Sequence, residues 1–198
     1  KSGLNTTGLK GKAIESNDVV AQGEELMRRA ADSGFGLIIS LEYSHGESME
    51  KLAPSYNDSK FVILNQVRKG NNVVSILFSE HEGSYLAGAL AAQVTTDTSI
   101  SGINSDAVIG VIGGFKSPGI DKLLAGNAEG AKAINPNIKV LMAYSNSFGD
   151  PAKGEQMAQA MFEQGADIVY QVAGGTGIGI IEAAKKAGKY AIGVDTDQ

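Results

Sequence analysis

The sequence predicts an α/β protein whose parallel strands carry helices on both faces, and three observations support that class. Short apolar runs alternate with longer amphipathic stretches along nearly the whole chain, the pattern of strand–helix–strand crossovers. The 26 glycines, against 4 prolines, suit many tight turns between strands and helices. The last apolar run, Ile192-Gly193-Val194, stops at a carboxylate, Asp195. In open α/β sheets ligands bind beyond the carboxyl ends of the strands. Asp195 is therefore placed to accept hydrogen bonds from the hydroxyls of a sugar-like ligand, although an acid at a strand end also serves simply to cap the next element.

Residues 1–11 are polar, with Gly3, Gly8 and Gly11, and suit neither helix nor strand. Lys12–Glu15 reads as a short edge strand. Asn17 is an N-cap candidate for a helix over 18–33, with an acid in its first turn, Leu26, Met27 and Ala30 on one face, and Gly34 as the terminating glycine. Gly36–Leu41 is apolar throughout and reads as a buried parallel strand. Met49, Leu52, Ala53 and Tyr56 mark a helix that Pro54 kinks or ends. Phe61–Leu64 and Asn71–Phe78 are the next two strands.

The polar break Ser79-Glu80-His81-Glu82 separates two α/β runs and reads as a crossover between lobes, 1–78 and 79–198. Glu82–Gln93 is a helix of small residues, able to lie close to a neighbour. After a polar loop, Ala107–Gly113 is a buried strand, followed by a helix over Pro118–Ile134 and a strand over Lys139–Tyr144. Pro151–Gln164 is a helix with proline at its start, and Asp150 is its N-cap. Ile168–Gln171 is a strand, Ile178–Ala187 a helix closed by Gly188, and Tyr190–Val194 the last strand. About eight strands fit two sheets better than one.

Composition excludes several functions. A net charge of −5 argues against nucleic acid as a partner, because phosphate binding needs clustered Lys and Arg. With no cysteine there is no disulfide, thiolate nucleophile or Cys-ligated metal, and two histidines, His45 and His81, cannot build a His-rich metal site. No cofactor and no metal are expected. No run approaches the ~18 apolar residues of a membrane span.

Three further stretches carry candidate chemistry. Ala173-Gly174-Gly175-Thr176-Gly177-Ile178-Gly179 joins a strand to a helix, a context in which helix N–H groups can hold phosphate. Its spacing matches neither the dinucleotide fingerprint nor the P-loop, so a tight turn against a neighbour or an uncharged ligand is the simpler reading. Glu80, His81 and Glu82 offer acid–base groups, or else the acid-rich first turn of a helix. Phe148, in the polar loop Tyr144-Ser-Asn-Ser-Phe-Gly-Asp150, is either a packing plug or a stacking surface for a flat ligand.

An ordered set of segments resembles the basic membrane protein (BMP) family of extracytoplasmic solute-binding lipoproteins, of the purine nucleoside receptor type. The set comprises Phe78-Ser-Glu-His-Glu-Gly-Ser-Tyr-Leu-Ala-Gly88, Ile109-Gly-Val-Ile-Gly-Gly114, Asn127-Ala-Glu-Gly-Ala-Lys-Ala-Ile-Asn-Pro136, Ser147-Phe-Gly-Asp-Pro-Ala-Lys-Gly154, Ala173-Gly-Gly-Thr-Gly177 and Ile192-Gly-Val-Asp-Thr-Asp-Gln198. The resemblance runs from about Lys12 to the end. It implies a two-lobed type I periplasmic-binding-protein fold that closes on a purine nucleoside or similar ligand in the cleft between lobes. It also implies delivery to an ABC-type permease in the membrane, without enzymatic activity. Asp195 would then bind ribose hydroxyls, Phe148 stack on the base, and Glu80 or Glu82 contact the base, with the Gly174 and Gly175 backbone lining the cleft. The expected state is a monomer in the periplasm or at the cell surface, lipid-anchored through a cysteine upstream of this chain.

Two departures from the family pattern accompany the match. The opening strand, with its aromatic and asparagine, has only Lys1-Ser-Gly-Leu-Asn5 as a counterpart, and the segment after the last strand has none. The expectation is a piece of a longer protein. The competing readings are an α/β enzyme acting on a nucleotide or sugar phosphate through the Gly174–Gly179 loop, and the ligand-sensing domain of a regulator.

Overall fold

The computed structural model describes residues 7–15 and 19–195. Asn17 and Asp18, the expected cap and first-turn acid, lie outside the described residues, as do 196–198. The chain forms two compact units, one through Phe78 and one from Ser79 onward.

In the first unit, α1 (Val19–Asp32) starts without an acid in its first turn. It ends at Gly34, whose φ of +79° lets its N–H reach Ala31 O while Phe35 N–H reaches Ala30 O, so the last carbonyls are satisfied. β1 (Leu37–Ser40), a 3₁₀ turn (Tyr43–His45), α2 (Gly46–Leu52) and a second 3₁₀ turn (Ala53–Ser55) follow, then β2 (Lys60–Leu64) and β3 (Val73–Ile76). Pro54 ends α2, because it cannot donate the next helical hydrogen bond. The strands are parallel in the order β1-β2-β3.

One face of this sheet, with Ile38, Phe61 and Ile63, packs under Met27 and Ala31 of α1 and Met49 and Leu52 of α2. The other face presents Leu37, Ile39, Val74 and Ile76 to solvent. The expectation of a buried parallel strand at Gly36–Leu41 is thus corrected to a parallel strand over Leu37–Ser40 that is buried on one face. Among the described residues β1 is an edge strand with alternating burial, and both described helices sit on one side of it. Lys12–Glu15 is not a strand either. It is exposed and unpaired, and Ile14, its one large apolar residue, has too little to bury to hold four residues extended. With that segment gone, the described residues contain seven strands rather than eight.

The second unit begins with α3 (Glu80–Thr95), so Glu80, His81 and Glu82 form its helix start. β4 (Val108–Gly113), α4 (Pro118–Ile134), β5 (Lys139–Tyr144), α5 (Pro151–Glu163), β6 (Ala166–Val172), α6 (Thr176–Ala187) and β7 (Tyr190–Ile192) complete it. The four strands are parallel in the order β5-β4-β6-β7. β4 and β6 are central and wholly buried, as a parallel sheet covered on both faces requires.

Beyond a register shift between Ala166 and Ile168, side chains alternate between the two layers. Ile109, Val111, Ile168, Tyr170 and Val172 face α3 and α4. Val108, Ile112, Val169 and Ala173 face Ala158 and Met161 of α5 and Ile180 and Ala183 of α6. α3 and α4 touch backbone to backbone: a Cβ on Gly88 would lie 1.9 Å from Asn127 O. Only glycine permits that approach.

The amino-terminal edge of the sheet is tied by a buried acid, Asp167. Its Oδ1 accepts from Lys189 Nζ at 2.7 Å and from Asn104 N and Nδ2, and its Oδ2 accepts from Thr95 Oγ1 at 2.7 Å. Removing one partner of such a buried pair leaves an uncompensated charge. Asp167→Ala should lower unfolding free energy by about 3 kcal/mol, read by urea denaturation of the chain.

Candidate functional site

Strand order in the second unit reverses between β4 and β6. The chain leaves β4 for β5 by way of α4 on one face, and leaves β6 for β7 by way of α6 on the other. Such a switch point opens a crevice at the carboxyl ends of the strands. The loops arriving there are Gly114–Ser117 after β4, Ser145–Asp150 after β5, Ala173–Gly175 after β6 and Gly193–Asp195 after β7. The start of α3 joins them.

The loop after β5 is held by hydrogen bonds on both sides. Ser145 N–H donates to Gly113 O at 2.8 Å, and Asn146 N–H, at φ +54°, to Gly114 O at 3.1 Å. Ser145 Oγ donates to Ser147 O at 2.8 Å, and Thr176 Oγ1 accepts from Asp150 N–H at 2.9 Å. Asp150 in turn accepts from Lys153 N–H and caps α5, as its place before Pro151 suggested.

This frame holds Phe148 half-buried over Gly114, whose absent Cβ would lie 2.0 Å from the ring. Phe115 meets it edge-on, with centroids 5.4 Å apart at 66°. Gly174, at φ +55°, and Gly175 lie against the Phe148 carbonyl. Phe148 thus packs against Gly114 and Phe115 on one side, and its ring is only half-buried.

At the β7 side of the edge stand two carboxylates. Glu80, in the first turn of α3, is largely covered, and its Oε2 lies 3.9 Å from Lys122 Nζ of α4. Burial pushes the Glu80 carboxyl up from its ordinary range; Lys122 opposes this and the nearby charge of Asp195 adds to it. Asp195 is exposed and adopts the left-handed backbone region, φ +67°. For a non-glycine residue that conformation is unusual, and aspartate is among the few that tolerate it.

Tyr170 lies beneath them in β6, 6% exposed. Burial raises its phenol, the neighbouring Ser84 opposes the rise, and the charges of Asp195 and Glu80 add to it. Phe148 and Val194 pack against the same buried cluster as Tyr170, which sets the aromatic and the acids at one edge.

The structure thus joins Glu80, Asp195 and, on the same cluster, Phe148. Glu82 is not with them: two positions along a helix turn the side chain to the opposite side, and Glu82 is exposed. Sequence reasoning missed Tyr170, although a lone tyrosine inside the buried strand Ala166-Asp-Ile-Val-Tyr-Gln-Val172 was a usable signal. It also missed Lys122, which carries no sequence signal.

The glycine loop is shorter than expected, since α6 begins at Thr176 and takes in Gly177. The N–H groups of Thr176, Gly177 and Ile178 already donate to Ala173, Gly174 and Gly175 carbonyls at 3.1, 2.9 and 3.3 Å.

This architecture is that of the type I periplasmic-binding proteins. A crystal structure of ABC transporter system solute-binding proteins from Aeropyrum pernix K1 matches with TM-score 0.72 and 28% identity, over 88% of this chain and 50% of that one. Residues 4–198 match the family described as Bmp, ABC transporter substrate-binding protein PnrA-like, and the chain belongs to that family. Among curated relatives, the ABC transporter nucleoside-binding protein BmpA of Lactococcus lactis is 38% identical over 85% of this chain. The CD4+ T-cell-stimulating antigen of Listeria monocytogenes is 34% identical over 87%. The chain spans about half the length of these relatives, 48% in both cases.

Two titrations test the electrostatics of this edge. Because the Glu80 carboxyl is raised on folding, its contribution to stability is present below the ordinary glutamate range and is lost as pH rises through the raised value. Glu80→Gln should therefore gain thermal stability over the parent at neutral pH, and the gap should close below about pH 4. Nearby, Tyr144 donates to Asp121, which pushes its phenol up to about 12. Asp121→Ala should return it to about 10, read by tyrosinate absorbance.

Proposed function

We propose that this chain is part of an extracytoplasmic substrate-binding protein of an ABC-type importer, and that its ligand is a purine nucleoside or a close analogue. The observation that carries the reading is the pairing, at one sheet edge, of a half-open aromatic ring with two carboxylates. Phe148 offers a stacking face for a flat base. Asp195 and Glu80 offer acceptors for ribose hydroxyls or base N–H groups, and an acceptor that ligand binding covers without matching disfavours the wrong ligand. Family membership and the name of the Lactococcus lactis relative support the same reading. The protein acts as a monomeric receptor rather than an enzyme, hands its ligand to a membrane permease, and is held at the cell surface or in the periplasm by a lipid anchor outside this chain.

The competing phosphate reading has less in its favour. Three N–H groups at the start of α6 are already engaged within the turn, and the nearby acids repel a phosphate.

Calorimetry on the full-length protein tests the proposal. Asp195→Ala and Phe148→Ala should each weaken nucleoside binding about tenfold or more, and unchanged affinity in both would remove the assignment. In a thermal-shift panel nucleosides should stabilise the protein more than their 5′-phosphates. The reverse order would favour an enzyme acting through the Gly174–Gly179 loop.

A further inference from the structure

We propose that Lys122 is a specificity-determining residue: with Glu80 it forms a donor–acceptor pair that selects 6-oxopurine nucleosides, such as inosine and guanosine, over adenosine. The inference rests on the reading of this sheet edge as a purine nucleoside site.

Glu80 and Lys122 come from different helices, and the packing of those helices fixes where each side chain starts. Gly126 of α4 sits against the His81 carbonyl of α3, where a Cβ would be 2.6 Å from the oxygen. Gly130 meets the Tyr85 carbonyl in the same way, at 1.9 Å. Ser84, 1% exposed, donates through Oγ to the carbonyl of Leu123, the residue after Lys122. Main-chain atoms therefore set the spacing between the first turn of α3 and the early turns of α4.

The two side chains meet without a hydrogen bond between them. Lys122 Nζ lies 3.9 Å from Glu80 Oε2, beyond hydrogen-bond distance. The side chains keep 30% and 26% exposure, so a ligand atom can reach both groups. Among the described residues Glu80 accepts no hydrogen bond, and Lys122 is its one ion-pair partner.

An ammonium only donates and a carboxylate only accepts. The pair therefore suits a base edge that sets an acceptor beside a donor. A 6-oxopurine offers its carbonyl oxygen, with two lone pairs, to Lys122 and its ring N–H to Glu80. The 2-amino group of guanine adds a donor for the second carboxylate oxygen. Adenine gives the ammonium a ring nitrogen with a single lone pair, and has no donor at its 2-position.

Calorimetry on the full-length protein tests this. The parent should bind inosine and guanosine about tenfold more tightly than adenosine or purine riboside, which lacks both the carbonyl and the ring N–H. Lys122→Met should weaken inosine about tenfold and change purine riboside by less than about twofold. Lys122→Arg keeps charge and donors, and should keep the preference. Adenosine bound by the parent as tightly as inosine overturns the proposal, as does an equal loss of inosine and purine riboside in Lys122→Met. Should that variant not fold, the parent's order of nucleosides decides. A parent that binds no nucleoside defeats the functional reading and this one with it. Nucleosides bound without the preference defeat this one alone.

Discussion

Parallel pairing of β5, β4, β6 and β7 is the constraint on which the second unit depends. Strands that all run one way must be joined by crossovers, and the crossovers place helices on both faces. The central strands are then sealed, and every residue of β4 and β6 is buried. Polar chemistry has only the strand ends left to occupy. The amino-terminal ends carry the Asp167 network, and the carboxyl ends carry Phe148, Glu80 and Asp195.

Two acids shielded from water in one unit differ in how their charge is compensated. Asp167 is fully enclosed, yet it accepts from a lysine, a threonine hydroxyl and two N–H groups of Asn104. Its charge is compensated, and it holds loop and helix together. Glu80 is largely covered too, but the Lys122 ammonium lies 3.9 Å away and a second carboxylate stands near. Its ionised form is disfavoured until something supplies donors. Natural sites often carry such local cost where a ligand is to be recognised.

The helix pairs convert small residues into precision. α3 and α4 meet backbone to backbone at Gly88, Gly126 and Gly130, so their separation is set by main-chain atoms rather than by adaptable side chains. A helix start held in this way fixes its first side chains against the sheet edge. In the first unit the described helices cover a single face, and Leu37, Ile39, Val74 and Ile76 remain open.

Much of this was readable from sequence alone. Period and punctuation placed α4 at about Pro118–Ile134, β5 at Lys139–Tyr144, and Gly34 and Gly188 as helix ends, because caps, prolines and glycines act locally. The α/β class followed from alternation. Local pattern could not tell that Gly36–Leu41 lies at an edge, since an apolar run looks the same whichever strands flank it. Nor could it choose between Glu80 and Glu82, or find Tyr170 and Lys122. Those depend on which helix face meets the sheet and which strand lies beneath, distances between residues about 40 to 115 positions apart. The sequence determined which residues could carry chemistry, and only tertiary packing decided which of them meet.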